Sequence, residues 1–454
     1  MKRTTHAVVA GAGMGGLLAA RVLSETYDQV TVLDRDGLPD EGVPRRGVPQ
    51  SGHAHGLLSR GSEILEELFP GLTADLVATG AMTCDAQNDV QWFGDGHPLL
   101  RAPSQLQCLL VSRPQLEWYV RSRVAALPGV EIHERCEVIE PIAGADGTVT
   151  GVRLQRHGQG PEDMPADLVV NATGRSNRGT EWLRRLGYEL PAEERVDSRL
   201  VYVSREYRRR PGDTDVNAMV VGHTTATPRG GVALSGEGDR WLVTLFGMGD
   251  DIAPVDPDGY HAFAARLPVP DLHRLLERLE PLGPPRQMRI PVSIRRRYER
   301  LGRHPEGYLA FADALCQFNP TYGQGMTVAA CEAAELRRCL ADGGPTGLAG
   351  RFYERAARII DVPWDMSVGG DLRFPAVEGP RTLRVKLLNA YIGRLHAAAA
   401  ADPVVGRAFL SVANLQAPPQ RLLSPGVLFR VLRPRRGATA APQIVAAEKI
   451  PVTR

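Results

Sequence analysis

The sequence predicts an α/β fold with a second, mainly antiparallel β-sheet domain and a helical C-terminal region. Three observations support this class. A strand, a glycine-rich turn, a helix and a second strand follow one another within residues 6–34. Short strands separated by loops dominate residues 197–292, and from Gly325 onwards the pattern is mainly helical. At 454 residues the chain is long for one core, so two or three subdomains are expected.

The first unit follows the order of a Rossmann-like dinucleotide-binding motif. An apolar run ending at Ala10 leads into the turn Gly-Ala-Gly-Met-Gly-Gly, and the strand after the helix ends on Asp34. The first glycine permits a tight turn, the second lets backbone approach a pyrophosphate, and the last lets the helix pack closely. The helix N-terminus offers N–H groups to phosphates, and Asp34 can accept hydrogen bonds from a ribose. The predicted cofactor-binding residues here are Gly11, Ala12, Gly13, Met14, Gly15, Gly16, Asp34 and Arg35.

The acid at the end of the second strand bears on the choice of cofactor. A 2′-phosphate would be repelled by Asp34, although Arg35 follows it. The unit therefore favours FAD or NAD over NADP and leaves those two open. A glycine-rich structural turn is the alternative, but strand, helix, second strand and terminal acid are all present.

The composition is ordinary for a soluble enzyme, with 43% apolar and 23% charged residues and a net charge of +2. This balance gives no reason to expect nucleic acid or an anionic membrane as a partner. The first strand begins almost at the N-terminus, which leaves no room for a signal peptide. No apolar run is long enough to span a bilayer. We therefore expect a cytoplasmic protein without stable membrane insertion.

No metal site is predicted. The six cysteines are scattered without a Cys-x-x-Cys pair, so buried reduced thiols are expected. His53 and His55 lack a third ligand at suitable spacing. Hydrogen bonding near a cofactor, or a plain polar loop, is the expected role of both histidines.

Further elements follow from local patterns. Proline near the start of the segment from Ser112 indicates the first turn of a helix. Helices are also predicted near residues 62–69 and 383–401, and strands at residues 90–93, 130–133, 152–155, 167–172, 200–204, 218–221, 241–246 and 308–313. The stretch from Pro434 is basic and rich in alanine and proline, which is typical of disordered tails.

A second motif lies at residues 307–326. A strand ends on Asp313, Pro320 follows, and Gly323-Gln-Gly325-Met326 opens a helix. This segment resembles the second FAD motif of the group A flavoprotein monooxygenases. The resemblance implies that Asp313 holds a hydroxyl on the ribityl or pyrophosphate side, and that the helix start faces the N1/C2 edge of the flavin. A helix N-terminus stabilises an anion there by ~0.3–2 kcal/mol.

Two other segments, residues 45–57 and 112–116, narrow the resemblance. With the two motifs they are similar to the squalene-epoxidase-like branch, especially the bacterial flavin epoxidases of polyether biosynthesis, over roughly residues 6 to 340. The resemblance implies that Arg113 contacts the FAD phosphate or ribityl chain and that Arg45 and Gln50 line the flavin. An arginine suits a pyrophosphate because its fork presents two parallel donors.

The chain also departs from the group A pattern. The middle motif usually carries an Asp-Gly pair, whereas here it reads Asn-Ala-Thr-Gly-Arg at residues 171–175. Ala312 and Asp313 stand at the usual Gly-Asp pair, so alanine replaces the glycine while the acid is kept. A second Gly-x-Gly-x-x-Gly and the Trp-x-Trp-x-Ile-Pro signature of flavin halogenases are both missing, which argues against a separate NAD(P)H domain and against halogenation.

The predicted organisation has three parts. Residues 1–75, 100–180 and 296–345 form a discontinuous FAD-binding domain. Residues 76–99 and 181–295 form a substrate-binding sheet domain. Residues 346–454 form a C-terminal helical region with a basic tail. Candidate walls of the substrate site, each also suited to core packing, are Tyr202, Met219, Val221, Leu245 and Phe246.

The resemblance implies an FAD-dependent monooxygenase that transfers oxygen from O₂, through a flavin C4a-hydroperoxide, to a lipophilic polyketide or terpenoid. Olefin epoxidation or hydroxylation in secondary metabolism is expected, with NAD(P)H or a separate flavin reductase as electron donor. Olefin epoxidation needs no general base, and no catalytic residue is predicted. Two alternatives stay open: a flavoprotein cyclase that uses FAD structurally in a [4+2] cycloaddition, and a reductase of an isoprenoid double bond.

Overall fold

The computed structural model describes residues 4–176 and 178–433, and the tail predicted from Pro434 lies outside these residues. The strands are β1 (His6–Ala10), β2 (Gln29–Leu33), β3 (Met82–Asp85), β4 (Val90–Gly94), β5 (His97–Pro98), β6 (Gln107–Leu110), β7 (Val130–His133), β8 (Cys136–Ala143), β9 (Val149–Arg156), β10 (Pro161–Pro165), β11 (Leu168–Asn171), β12 (Glu193–Arg208), β13 (Ala218–Val221), β14 (Arg229–Gly236), β15 (Arg240–Gly247), β16 (Arg286–Arg296), β17 (Tyr308–Ala310) and β18 (Cys316–Gln317). The helices are α1 (Met14–Leu23), α2 (Ser59–Leu68), α3 (Leu72–Ala78), α4 (Arg113–Ala125), α5 (Arg178–Arg185), α6 (Pro257–Ala264), α7 (Asp271–Leu276), α8 (Gly325–Gly343), α9 (Leu348–Asp371), α10 (Leu383–Ala399), α11 (Pro403–Ala413) and α12 (Pro425–Leu432).

A five-stranded parallel sheet forms the centre of the first domain, in the order β17-β11-β1-β2-β7. Its strands are continuous apolar runs, and Val8, Val9 and Val170 are fully buried. Strands of this kind are buried on both faces, which is why crossover helices cover a parallel sheet. Helices α1 and α8 pack against each other beside it. The carboxyl ends of β1, β2, β11 and β17 therefore open at one edge, where ligands bind in such sheets.

An eight-stranded sheet forms the second domain, in the order β18-β16-β12-β15-β14-β13-β4-β5. All its pairings are antiparallel except that of β13 with β4. One face carries Tyr202 and Phe246 towards the core of the first domain. The other face carries Val203, Val243 and Leu245 into a separate core beneath α6 and α7. The two faces differ because side chains alternate along a strand.

The C-terminal helices complete the structure. Helices α10, α11 and α12 share a third core with β3, β4 and β6, and Leu110, Leu395 and Val405 are buried within it. Two small antiparallel sheets, β10-β9-β8 and β3-β6, lie outside the two main sheets. Helices that combine the length and the apolar character needed to cross a bilayer are missing from the described part of the chain. The α/β class with a second, mainly antiparallel sheet and a helical C-terminal region is confirmed.

Some local predictions were wrong in extent. The strand predicted at residues 308–313 ends at Ala310, because a 3₁₀ turn over Ala312–Ala314 follows it directly. Strand β12 spans 16 residues where only residues 200–204 were predicted, since charged residues obscure its alternation. The short helices α6 and α7 were missed within the region of strands. The predicted domain limits stay a prediction.

Candidate functional site

The amino-terminal turn shows why three glycines are needed. Gly11 has a φ of +109°, and a Cβ on it would lie 2.5 Å from the carbonyl oxygen of Ala172. A Cβ on Gly16 would lie 1.8 Å from the carbonyl oxygen of Gly11, so the helix packs directly on the turn. A Cβ on Gly13 would meet nothing nearer than Arg45 Nη2 at 4.0 Å. Gly13 is therefore open towards a ligand, while Gly11 and Gly16 serve backbone packing.

Two helix N-termini border the same cleft. Helix α1 begins after Gly13 and α8 begins after Gln324, and neither receives a capping hydrogen bond from a side chain of the described residues. Their first turns carry no acidic residue. A Cβ on Gly325 would meet no atom of the described residues within 4 Å. Free N–H groups and the positive ends of two helix dipoles therefore favour a bound anion at each end.

Asp34 ties the turn to the end of β2. Its Oδ2 accepts a hydrogen bond from the backbone N–H of Ala12 at 2.7 Å. Its Oδ1 accepts one from the backbone N–H of Asp36 at 2.9 Å. Arg45 Nη1 lies 3.5 Å from the same carboxylate. The carboxylate is therefore fixed at the cleft wall, where 8% of the residue is exposed.

Glu117 on α4 orients two arginines beside this acid. Its Oε1 accepts from Arg45 Nε at 2.8 Å, and its Oε2 accepts from Arg113 Nη2 at 3.0 Å. Arg45 also donates to Asp36 Oδ2 at 3.0 Å. Burial raises the pKa of the Glu117 carboxyl, but Arg113 and Arg45 outweigh burial, so the net pKa is lowered. The carboxylate therefore stays ionised and holds both guanidinium groups in place.

The cleft has a volume of about 500 Å³, within the usual size range of cofactor pockets, ~300–1,000 Å³. Its walls carry more cationic than anionic side chains, which suits a pyrophosphate. The cations are Arg35, Arg45, Arg46, Arg113, Arg175 and Arg178, and the acids are Asp34, Asp36, Glu137 and Asp313.

Twelve of the fifteen predicted cofactor residues line this cleft: Gly11, Gly13, Met14, Gly15, Asp34, Arg35, Arg45, Gln50, Arg113, Asp313, Gly325 and Met326. Ala12, Gly16 and Gly323 do not line it. Ala12 is buried and reaches Asp34 through its N–H, and Gly16 packs against the turn. Gly323 has a φ of +67° and ends the 3₁₀ turn that precedes α8. The cleft residues missed from the sequence include Arg46, Arg175 and Arg178; Arg175 was already marked by the Thr-Gly-Arg end of the middle motif.

The turn after β17 is strained. Ala312 has a φ of +55°, a conformation that costs an L-residue roughly 1–2 kcal/mol. Its N–H donates to Glu332 Oε2 of α8 at 2.8 Å. Burial raises the pKa of Glu332 to about 8, and nearby Asp313 adds to this rise. The neighbouring Asp313 faces the cleft 4.0 Å from Arg175. Glu332 therefore holds the turn that presents Asp313.

The two histidines make hydrogen bonds within the protein. His53 Nδ1 lies 2.7 Å from Ser204 Oγ of β12, and His55 Nδ1 lies 2.8 Å from the carbonyl oxygen of His53. Burial, with a smaller effect of Arg286 on His53 and of Arg113 on His55, lowers the pKa of each to about 4. Both rings are therefore neutral at pH 7. His53 docks this loop on the large sheet, whereas His55 makes its hydrogen bond within the loop.

The candidate wall residues divide between the two faces of the large sheet. Tyr202 and Phe246 lie on the face towards the cleft, whose wall includes Met288, the register partner of Tyr202 on β16. Met219, Val221 and Leu245 lie on the opposite face, in the core beneath α6 and α7. Those three residues therefore take the core-packing role that the sequence also left open to them, since an apolar side chain does not by itself show which face of a sheet it occupies.

Solved structures with similar folds are flavoproteins and related enzymes. The flavin-dependent brominase Bmp2 has a TM-score of 0.65 at 16% identity and covers 90% of this chain and 94% of its own. PqsL from Pseudomonas aeruginosa, a probable FAD-dependent monooxygenase, has a TM-score of 0.60 at 16% identity, with 81% and 98% covered. The Diels-Alderase PyrE3 of pyrroindomycin biosynthesis has a TM-score of 0.59 at 19% identity, with 90% and 80% covered. At these identities the likeness shows the fold alone.

The sequence comparison is more specific. No family model matches the chain. Protein Rv3254 of Mycobacterium tuberculosis is 36% identical over 425 residues, which cover 89% of this chain and 88% of that protein. The protein therefore belongs to the same family as Protein Rv3254, and it has the fold shared by the FAD-dependent monooxygenases and flavin halogenases.

Proposed function

We propose that the protein is an FAD-dependent monooxygenase that inserts one oxygen atom of O₂ into a lipophilic small molecule, with olefin epoxidation or hydroxylation as the reaction. The observation that carries this proposal is the pair of uncapped helix N-termini on one arginine-rich cleft. One helix end suits a pyrophosphate, and the other suits the anion that a reduced flavin carries at N1.

The residues of the cleft fit FAD. The α1 terminus and Arg113 would hold the pyrophosphate, Asp34 the adenosine ribose, and Asp313 a hydroxyl of the ribityl side. The open spaces at Gly13 and Gly325 support this assignment, because a side chain at either position would fill the cradle. When bound, the flavin supplies the activation of O₂. NAD(P)H or a separate flavin reductase would supply the electrons.

The task of the chain is to hold the substrate and exclude water. Met288 lines the cleft, and Tyr202 and Phe246 lie in the core on the same face of the large sheet. An apolar surface of this kind favours a lipophilic substrate. A dry site also delays unproductive release of peroxide. The family resemblance favours a polyketide or terpenoid olefin, whose electron pair needs no base for activation.

The test begins with purified protein. Stoichiometric bound FAD, reduction of that flavin by NADPH or NADH, and O₂ consumption that depends on substrate are expected. A colourless protein that does not take up FAD would end the proposal. The variant Glu354→Gln, which changes an exposed side chain, is purified in parallel and shows how much FAD is lost during purification alone.

A second candidate is a flavoprotein cyclase that keeps its flavin oxidised. The middle motif favours it, since residues 171–175 lack the acid of the Asp-Gly pair that group A hydroxylases carry there. The side chain of Asn171 is used within the protein: Oδ1 accepts from the N–H and hydroxyl of Thr173, and Nδ2 donates to Tyr308. The fold of the Diels-Alderase PyrE3 supports the same possibility. Substrate conversion without O₂, with the flavin still oxidised, would select the cyclase.

A further inference from the structure

Five rings form an aromatic cluster beside the cofactor cleft: Tyr202, His223, Phe246, Tyr322 and Phe374. The ring of His223 lies 4.7 Å from that of Phe374 and 6.4 Å from those of Phe246 and Tyr322, measured between centroids. The rings of Tyr202 and Phe246 are 6.2 Å apart. Three of these four pairs meet edge to face, one of the arrangements that aromatic rings prefer.

The aromatic cluster adjoins the cleft at two points. Tyr202 pairs in register with Met288, which lines the cleft. Tyr322 stands three residues before Gly325, where α8 opens on the cleft. Gly370 makes room for the Tyr322 ring, because a Cβ there would lie 2.1 Å from the phenolic oxygen. The cluster therefore adjoins the end of the cleft at which the flavin ring is proposed to bind, and its five rings lie just outside the lining of the cleft.

The polar atoms of the cluster are not all used within the protein. Tyr202 is 6% exposed, and its hydroxyl has no hydrogen-bond partner among residues 4–176 and 178–433. Burial holds its pKa well above the usual value, while Arg175 and Asp371 exert smaller, opposing effects. The hydroxyl is therefore a protonated donor. A buried donor without a partner is costly, so a ligand oxygen at this position would be favoured.

Tyr322 and His223 offer acceptors within the same cluster. The hydroxyl of Tyr322 donates to Asp371 Oδ1 at 3.2 Å, which leaves its own lone pairs available. Asp371 is fully buried and is held from the other side by Asn319 Nδ2 at 2.9 and 3.0 Å. Burial, with a smaller effect of Arg373, lowers the pKa of His223 to about 4, so its imidazole is neutral at pH 7 and has one acceptor nitrogen.

We propose that the aromatic cluster is the subsite for the substrate's reacting ring system, and that the Tyr202 hydroxyl binds an oxygen substituent on it. The substrate is then a planar, unsaturated molecule that carries a phenol, enol or conjugated carbonyl oxygen. A saturated lipid of equal size would gain area burial but neither the ring contacts nor the hydrogen bond. This inference rests on the proposed function and names the substrate class of that same site.

The test uses FAD-loaded protein and three probes: 7-hydroxycoumarin, coumarin, and the saturated bicyclic alcohol decahydro-2-naphthol. Dissociation constants are measured by isothermal titration for the unchanged protein, Tyr202→Phe and Tyr27→Phe. Tyr27 is the matched control, because it is also 6% exposed and its hydroxyl also lacks a partner in the described part of the chain. It follows α1, away from the aromatic cluster.

We expect 7-hydroxycoumarin to bind most tightly and Tyr202→Phe to weaken it by about five- to tenfold, the usual effect of one hydrogen bond. Tyr27→Phe should change nothing. Equal binding of the planar and saturated alcohols, absence of binding, or an equal effect of both variants would overturn the inference. Unchanged binding of 7-hydroxycoumarin in Tyr202→Phe would also overturn the inference, because it would mean that the Tyr202 hydroxyl bonds to an ordered water and not to the ligand. FAD uptake is measured separately, so that a failure of the proposed function can be distinguished from a failure of this inference.

Discussion

The buried acid Glu332 gives a prediction whose magnitude follows from the structure. The residue is fully buried on α8, its Oε2 accepts the Ala312 N–H, and its Oε1 has no partner among the described residues. Its pKa is raised from 4.5 to about 8, mainly by burial. The folded state therefore binds the proton more tightly than the unfolded state. The contribution of this carboxyl to stability is therefore fully present below about pH 4.5 and is lost as the pH rises towards 8.

The size of the loss follows from linkage. A difference of about 3.5 pKa units, at 1.36 kcal/mol for each unit, corresponds to about 5 kcal/mol lost across this range. Glu332→Gln keeps the shape and an acceptor for the Ala312 N–H but cannot ionise. The variant should therefore lack this part of the pH dependence and should be the more stable protein above about pH 8.

The assay is urea unfolding of both proteins between about pH 5 and about pH 9, with circular dichroism as the signal that reports unfolding. Asp371 is raised to a pKa of about 7 by burial and contributes to the same range, so the two curves are compared by their difference. The exposed Glu354 provides the control, since Glu354→Gln should leave the pH dependence unchanged. Parallel stability curves for the unchanged protein and Glu332→Gln would refute the reasoning.

Two further predictions concern the cofactor turn. In Gly16→Ala the new Cβ would lie 1.8 Å from the Gly11 carbonyl oxygen, so the turn must move, and we expect loss of bound flavin and a lower Tm. The control is Gly160→Ala, where the described residues leave open space. It should change neither the flavin content nor the Tm. Asp34→Ala removes the acceptor of the Ala12 N–H and of the proposed ribose, so FAD should bind about 10- to 100-fold more weakly in fluorescence titration; an unchanged Kd would place the ribose elsewhere.

The local motifs were readable from the sequence because backbone constraints act between near neighbours. Gly11 needs a positive φ, and Gly16 must pack on an oxygen only five residues away. Asp34 follows a short apolar strand that has to run parallel to the first. Likewise, the glycines around α8 mark a helix start that leaves room for a ligand. These relations depend on residue type and spacing alone, and so they predicted the fold class and the residues of the two glycine motifs that line the cleft.

The rest was decided only by the tertiary structure. Arg45 meets Glu117 across 72 residues, and Tyr322 meets Asp371 across 49. The face of the sheet on which Tyr202 and Phe246 lie, with Leu245 on the other, depends on which side the first domain packs. No local pattern encodes these choices, because an apolar strand of the large sheet is buried on both faces and its sequence looks the same from either side. The aromatic cluster exists only because distant strands and loops converge at the end of the cleft.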